Sequence, residues 1–485
     1  MAANFLHGVE TIELTAGARP VRAVKTAVIG LVGTAPVHQL DPADARVNQP
    51  FLVLSDRDAA ACGGPALPGY TIPQALDAVF DQGRGTVIVV NVFDPAVHRT
   101  AVAAEAVTLG TDGTARLAHG DVIQATVKSQ DGTTTHAAGT DYRLDRVTGT
   151  ITRLTAGAIA AGAGLTVDYT YGDPSKVTAG DIIGSVDVAG NRLGMQALLN
   201  SYNLFGMFPK ILIAPVYCTQ RSVAAELEVL AAASKCRAIA LVDAPIGTTR
   251  DQAITGRGPG GAINFGFSSE RVVLCYPHLK VHDPATDSTR LEPYSQRLAG
   301  VIAATDDEFG YWFSPSNKVI KGIVGAERDL SAMINDPASD VNLLNEAGIV
   351  TLFNSFGTGL RTWGNRSSAW PASTAQGNFI QTRRTADMVH ESLEYAMLQF
   401  IDRPITDALI DAIVETGNAF IRTLIGRGAL TIGSRAEFNK DKNPPTGLAA
   451  GHLTFDLIFC PPPPAERITF ESFIDITLLA NLGVR

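Results

Sequence analysis

T-A-V-I-G-L-V, residues Thr26 to Val32, is an unbroken apolar run stopped by Gly33 and Pro36. So short a run without polar alternation reads as a strand covered on both faces. Val87-Ile88-Val89-Val90-Asn91-Val92 repeats the pattern. Between them, Ile72 to Phe80 carries Pro73 near a helix start and sets Leu76, Val79 and Phe80 along one face, completing β-α-β punctuation. The same style returns downstream. Lys210 to Pro215, Ala238 to Asp243 and Arg271 to Tyr276 read as strands, with an Ala-rich helix over Val223 to Ala233. This alternation predicts an α/β fold, a mixed but mostly parallel sheet flanked by helices.

From Ala101 to Tyr171 the pattern changes. Asp112-Gly113, Asp131-Gly132 and Thr148-Gly149 are hairpin-turn signals between alternating runs such as Leu165 to Tyr171, which predicts an inserted all-β domain over 99–172. The α/β core is then 21–98 together with 173–366. Beyond it, Ala386, Val389, Leu393, Met397 and Phe400 mark an amphipathic helix ended by Asp402-Arg403-Pro404. A second helix is expected from Pro404 to about Ile425, and a strand from Leu453 to Phe459, so 367–460 reads as an α+β C-terminal domain.

Both ends read as extended arms. Val9-Glu10-Thr11-Ile12-Glu13-Leu14 is β-prone and set apart by the Gly17-Ala18-Arg19-Pro20 turn, giving an N-terminal arm over 1–20. An ordinary edge strand is the alternative reading. Pro461 to Pro464 cannot join a ladder and form a stiff spacer. After them Ile468, Phe470, Ile474, Ile476 and Leu478 alternate with Thr469, Glu471, Asp475 and Thr477, predicting a terminal strand with a marked apolar face within 461–485.

The chain has 46% hydrophobic and 18% charged residues and a formal charge of −9. The negative balance argues against nucleic-acid binding, and the apolar content leaves surface for a partner to cover. Five scattered cysteines give neither a disulfide framework nor a zinc site. The N-terminus does not read as a signal peptide, and no run has the apolar length of a membrane span.

Enzyme constellations fail one by one. Gly256 to Gly261 lacks a following Gly-Lys-Ser/Thr, and Pro259 removes an N–H that a phosphate cradle uses. His390-Glu391-Ser392-Leu393-Glu394 has Glu394 where a zinc-protease helix carries its second His. Asp387, Glu391 and Glu394 share one helical face, read as solvated or facing a partner. No catalytic, cofactor-binding or metal residue is assigned, and no cofactor is expected. The alternative, a cytoplasmic α/β nucleotide-binding enzyme with a β insertion, needs a phosphate loop that the chain does not supply.

The stretch Glu292 to Arg366 decides between these. It opens as a short helix through Leu298, Val301 and Ile302, broken by Asp306, Asp307 and Gly310; Tyr311-Trp312-Phe313 then gives an aromatic anchor. Its wording resembles the contractile tail sheath proteins of phages and phage-like bacteriocins. The motifs are Leu298-Ala299-Gly300-Val301 with Ala304-Thr305-Asp306, Gly310-Tyr311-Trp312 with Ser314-Pro315-Ser316-Asn317, Leu344-Asn345 with Gly348-Ile349, and Trp363-Gly364-Asn365-Arg366. Ala303 and Ser367 depart from the family pattern, where Arg and Thr often stand.

The resemblance implies hexameric rings stacked helically around a tail tube, with contraction driving the tube through a cell envelope. It also implies an outward-facing β insertion, a C-terminal domain nearest the tube, and terminal arms adding to neighbours' sheets. Its partners are other copies, the tube, the baseplate and the tail terminator, in a virion tail or injection particle assembled in a host cytoplasm. Arg383 and Arg384 are candidate tube contacts, and Arg366 is available for an inter-domain carboxylate. Residues near Ala16 to Pro20 and Pro461 to Pro464 are the expected flexing linkers.

Overall fold

The computed structural model describes residues 21 and 23–482, apart from 234–235, 257–264, 284–286, 355–356 and 358. Val9 to Leu14, the Ala16–Pro20 linker and most of the Gly256–Gly261 loop lie outside the described residues. The apolar runs of the sequence form strands β1 (Val28–Gly33), β2 (Phe51–Val53) and β3 (Thr86–Asn91), with helix α1 (Ile72–Phe80) between β2 and β3. Every residue of β1 is buried, as a strand with helices on both faces requires.

After β3 the chain makes the all-β insertion from β4 (Arg99–Thr108), β5 (Thr114–Arg116), β6 (Val122–Ser129), β7 (Tyr142–Asp145), β8 (Thr150–Arg153) and β9 (Gly164–Gly172). These form two antiparallel sheets, β4-β9-β6 and β5-β8-β7, around their own core of Leu117, Val122, Ile151, Leu165 and Val167. Its neck is held by Asp121. The carboxylate accepts from Tyr70 Oη at 2.5 Å and Gln39 Nε2 at 2.9 Å, and lies 2.7 Å from His38 Nε2.

The core resumes with β10 (Ile211–Ile213), helix α2 (Arg221–Ala232), β11 (Ile239–Asp243) and β12 (Val272–Cys275). A small antiparallel sheet follows, β13 (Leu279–Asp283), β14 (Ser288–Glu292) and β15 (Gly325–Ala326), with helix α3 (Tyr294–Glu308) inside it. Then come β16 (Ile349–Asn354) and β17 (Leu360–Trp363). The eight-stranded sheet has the order β17-β16-β12-β11-β10-β1-β3-β2. Its pairings are parallel except at the edges, β16–β17 and β2–β3.

Helix α3 runs on through Asp306 and Asp307, where the sequence suggested a break. Burial explains the difference: Tyr294 to Ala303 is buried all round, so packing overrides weak propensity. Arg297, fully buried, donates to Glu292 and, at 2.8 Å, to Asp81. Gly300 is required by close approach to α1, since a Cβ there would lie 2.8 Å from the carbonyl oxygen of Val79.

The chain stays with the core past Arg366: the Ser368 N–H donates to the Val272 carbonyl at 2.8 Å. Helices α4 (Ile380–Met397) and α5 (Asp407–Gly426) then pack against the hairpin sheet of β18 (Arg435–Phe438) and β19 (Phe455–Ile458). Helix α5 begins after Pro404, N-capped by Thr406 Oγ1, which accepts from the Leu409 N–H at 3.2 Å. The expected terminal strand does not form within the subunit. Residues 461–475 have no regular structure and Ile476–Asn481 is a 3-10 turn. A strand needs a partner ladder, and the chain offers this segment none among the described residues.

Candidate assembly interface

Helix α4 joins the C-terminal unit to the core through charge. Its Asp387 carboxylate accepts from Arg271 at 2.7 and 2.8 Å and from Arg383 at 3.0 Å. Glu391 accepts from Lys210, which also donates to the Cys236 carbonyl at 2.7 Å. Glu394 accepts from Arg237 at 2.8 Å. Arg384 donates to both oxygens of Asp306 at 2.7 and 2.5 Å and to the Thr26 carbonyl at 3.0 Å. The Arg384 and Asp306 side chains are 5% and 3% exposed.

Two expectations are therefore corrected. On the acidic face of α4, Asp387 and Glu391 are buried against cations of the core, while Glu394, 59% exposed, pairs with Arg237 at its edge. Arg384 is not an outward cation, because its guanidinium is consumed inside the subunit. Arg383 is bound to Asp387 and lies 3.5 Å from Glu270, with 19% of its side chain exposed. His390 sits half-buried on the same helix, edge-on to Phe459. Burial, then the cations Arg383 and Arg237, push its pKa below the ordinary imidazole value. Among the described residues no group of three or more His, Cys, Asp or Glu is arranged to hold a metal.

Of the sequence motif residues, Asp306, Tyr311 and Trp312 meet this seam, and the others brace the core beside it. Thr305 Oγ1 donates to the Val301 carbonyl at 2.7 Å, and the next residue, Asp306, holds Arg384. Gly310 has φ +107°, and a Cβ there would lie 2.5 Å from the Trp312 ring, so the turn and the aromatic anchor need each other. Trp312 stands edge-on to Tyr311, and both pack against Met388, Val389 and Phe420 of the C-terminal unit. Thr362 Oγ1 donates to the Pro315 carbonyl at 2.5 Å, and the Asn317 N–H donates to the Thr362 carbonyl at 2.6 Å, fixing that loop to β17. Trp363 stacks on Phe353 at 4.3 Å, and the Gly364 N–H donates to Ser316 Oγ at 3.0 Å. Arg366 reaches Glu466 instead, in the C-terminal extension.

Past that contact the extension is bare. Ile468, Phe470, Phe473, Ile474, Ile476 and Leu478 are 70%, 90%, 87%, 89%, 74% and 63% exposed. Such a run of large apolar side chains marks a surface that another chain covers.

Residues 190–368 match the phage tail sheath protein central domain family and 372–475 the phage tail sheath C-terminal domain family. Residues 95–181, which span the β insertion, match a family of unknown function. The chain is 55% identical over 484 residues to the tail sheath protein of Burkholderia phage BcepMu, covering 99% of each. It belongs to the phage tail sheath family.

The sheath fold extends to solved assemblies. The contracted helical sheath of the anti-feeding prophage matches with a TM-score of 0.59 at 17% identity, over 98% of this chain and 100% of that one. The contracted sheath of the extracellular contractile injection system PVC matches with a TM-score of 0.59 at 15% identity, over 98% and 99%. The chain shares its fold with these sheaths, and its relatives are structural tail sheath proteins; the nucleotide-binding enzyme alternative finds no support among them. Within the sheath subunit, motif reading found Asp306 and Arg366 but missed Lys210, Arg237 and Arg271. The available signal was the i, i+4 stripe of Asp387 and Glu391, whose neutralisation calls for cations elsewhere.

Proposed function

We propose that the subunit polymerises as stacked hexameric rings around a tail tube and contracts by rigid-body rearrangement, with exchanged terminal segments keeping neighbours linked. The observation that carries this is the exposed apolar face from Ile468 to Leu478. Its acceptor in a second copy is the β18–β19 sheet. Two strands alone are marginally stable, and the free edges of this pair suit an added strand.

Magnitudes support exchange only when many copies act together. Ordering residues 468–478 costs roughly 1–2 kcal/mol each, on the order of 11–22 kcal/mol. Burying the five alternating apolar side chains returns about 8–15 kcal/mol, and ladder hydrogen bonds about 1 kcal/mol each. The balance is close to even, so the tethered, multivalent geometry of a polymer has to supply the surplus.

The N-terminal segment Val9 to Leu14 is proposed as the second exchanged arm, and the β insertion as an outward module. Tube, baseplate and tail terminator are proposed partners, with assembly in the host cytoplasm. Arg383, the less buried of the two arginines, is the remaining candidate for the tube. Deletion of residues 468–485 tests the reading: full-length chain forms hollow cylinders in electron micrographs, and the deletion variant stays unassembled. Cylinders formed by the deletion variant would overturn it.

A further inference from the structure

Arg366 is not simply one more ion pair. Its guanidinium carbon lies 3.9 Å from the ring centre of Trp370 and 4.3 Å from that of Phe379. Its Nε and Nη2 donate to the two carboxylate oxygens of Glu466 at 2.9 and 2.6 Å. The backbone preorganises this clasp: the Ser367 N–H donates to the Asn378 carbonyl at 2.7 Å and the Ile380 N–H to the Asn365 carbonyl at 2.9 Å. Those bonds bring Arg366 and Phe379 side by side. Planar stacking combined with a two-pronged carboxylate contact is a task for Arg that Lys does not perform.

Upstream, the extension is pinned as well. Cys460 accepts at its carbonyl from the Thr431 N–H at 2.9 Å, and Pro461 is buried. The proline run therefore lies between two anchors, one at Cys460 and one at Glu466. Among the described residues, Arg467 to Ile474 make no hydrogen bond, and the apolar side chains from Ile468 onward stand in solvent.

We propose that Arg366 is a positioning residue for the C-terminal segment. By clasping Glu466 it moves the pivot from Pro461–Pro464 to residues 467–474, and it fixes the point from which the apolar segment departs toward its acceptor. The proposal puts residues 467–474 in the place of the proline run expected to flex, and its second half rests on the exchange reading given above.

Limited proteolysis of the full-length chain tests the clasp separately from assembly. Trypsin cuts after Arg467, next to the clasped residue, and chymotrypsin after Phe473, in the free segment. In R366K the sequence around both sites is unchanged. Cleavage tracks the population of the opened state, so loss of the clasp should raise the Arg467 rate about tenfold while the Phe473 rate stays at the wild-type value. E466A, normalised to cleavage of the matching synthetic peptide, should behave the same way and guards against misfolding at Trp370. An unchanged Arg467 rate in both variants would overturn the clasp.

The positioning role has its own readout. Cylinders of R366K should show broadened ring spacing in electron micrographs, whereas a spacing distribution equal to wild type, with Arg467 deprotected, would overturn it. Failure of the exchange reading shows up elsewhere, as cylinders formed by the 468–485 deletion, and leaves the tryptic result standing.

Discussion

Replacing Asp306 with Asn removes the carboxylate that Arg384 grips while leaving the side-chain volume almost unchanged. The two groups are 3% and 5% exposed, so Arg384 would be left as a buried cation hydrogen-bonded to the Thr26 carbonyl, with a neutral amide in place of its carboxylate. Breaking a buried pair by removing one partner costs about 3–5 kcal/mol. Read against a cooperative unit of 150–250 residues, a loss near 4 kcal/mol lowers Tm by roughly 8–16 °C. An exposed pair supplies the contrast. Arg422 and Glu415 are 60% and 69% exposed, and R422A should cost under about 1 kcal/mol. The assay is thermal unfolding of the full-length subunit, with hydrogen exchange followed in peptides from α4, where the loss should be concentrated. The D306L/R384M double variant should recover most of the stability, since apolar isosteres avoid the desolvation cost. A D306N variant within about 1 kcal/mol of wild type, or equal to R422A, would refute the claim that the core and C-terminal unit are held by buried charge.

His390 gives a pH signature. Its folded pKa is depressed by burial and by Arg383 and Arg237, so the unfolded chain binds the proton more readily. Stability should fall as pH drops from about 6.5 toward the folded value, and the Tm difference between wild type and H390Q should change across that window; a difference constant in pH would count against it. G310A should lower Tm by several degrees, because it forces a Cβ against Trp312 at φ +107°. G132A, also at positive φ but with open space around the added carbon, should cost less, and equal losses would contradict the packing argument.

Much of the core could be read directly. Val28 to Val32 and Val87 to Val90 are continuous apolar runs because both faces of their sheet are covered, and this pattern survives without tertiary information. Pro73 marked its helix because only the first turn tolerates a missing N–H. The buried part of the α4 face, Asp387 and Glu391, was misread for a physical reason. Charged residues at 383, 384, 387, 391 and 394 resemble a solvent-facing stripe, and their partners on the core lie 78 to 181 residues away in sequence. Periodicity reports which side of a helix is polar and is silent on whether that polarity is neutralised. The alternation of Ile468 to Leu478 was legible as strand chemistry, but a strand is defined by its ladder, and the described residues of the subunit do not supply one.

A cryo-electron microscopy map of cylinders assembled from the full-length chain bears most directly on the central claim, that each subunit is a rigid body linked to its neighbours by segments it does not use itself. The account predicts density for residues 468–478 leaving Glu466, crossing to a second subunit and lying as a strand against its β18–β19 sheet. Density in which that segment folds back onto its own C-terminal unit, with β18–β19 still two-stranded, would contradict it.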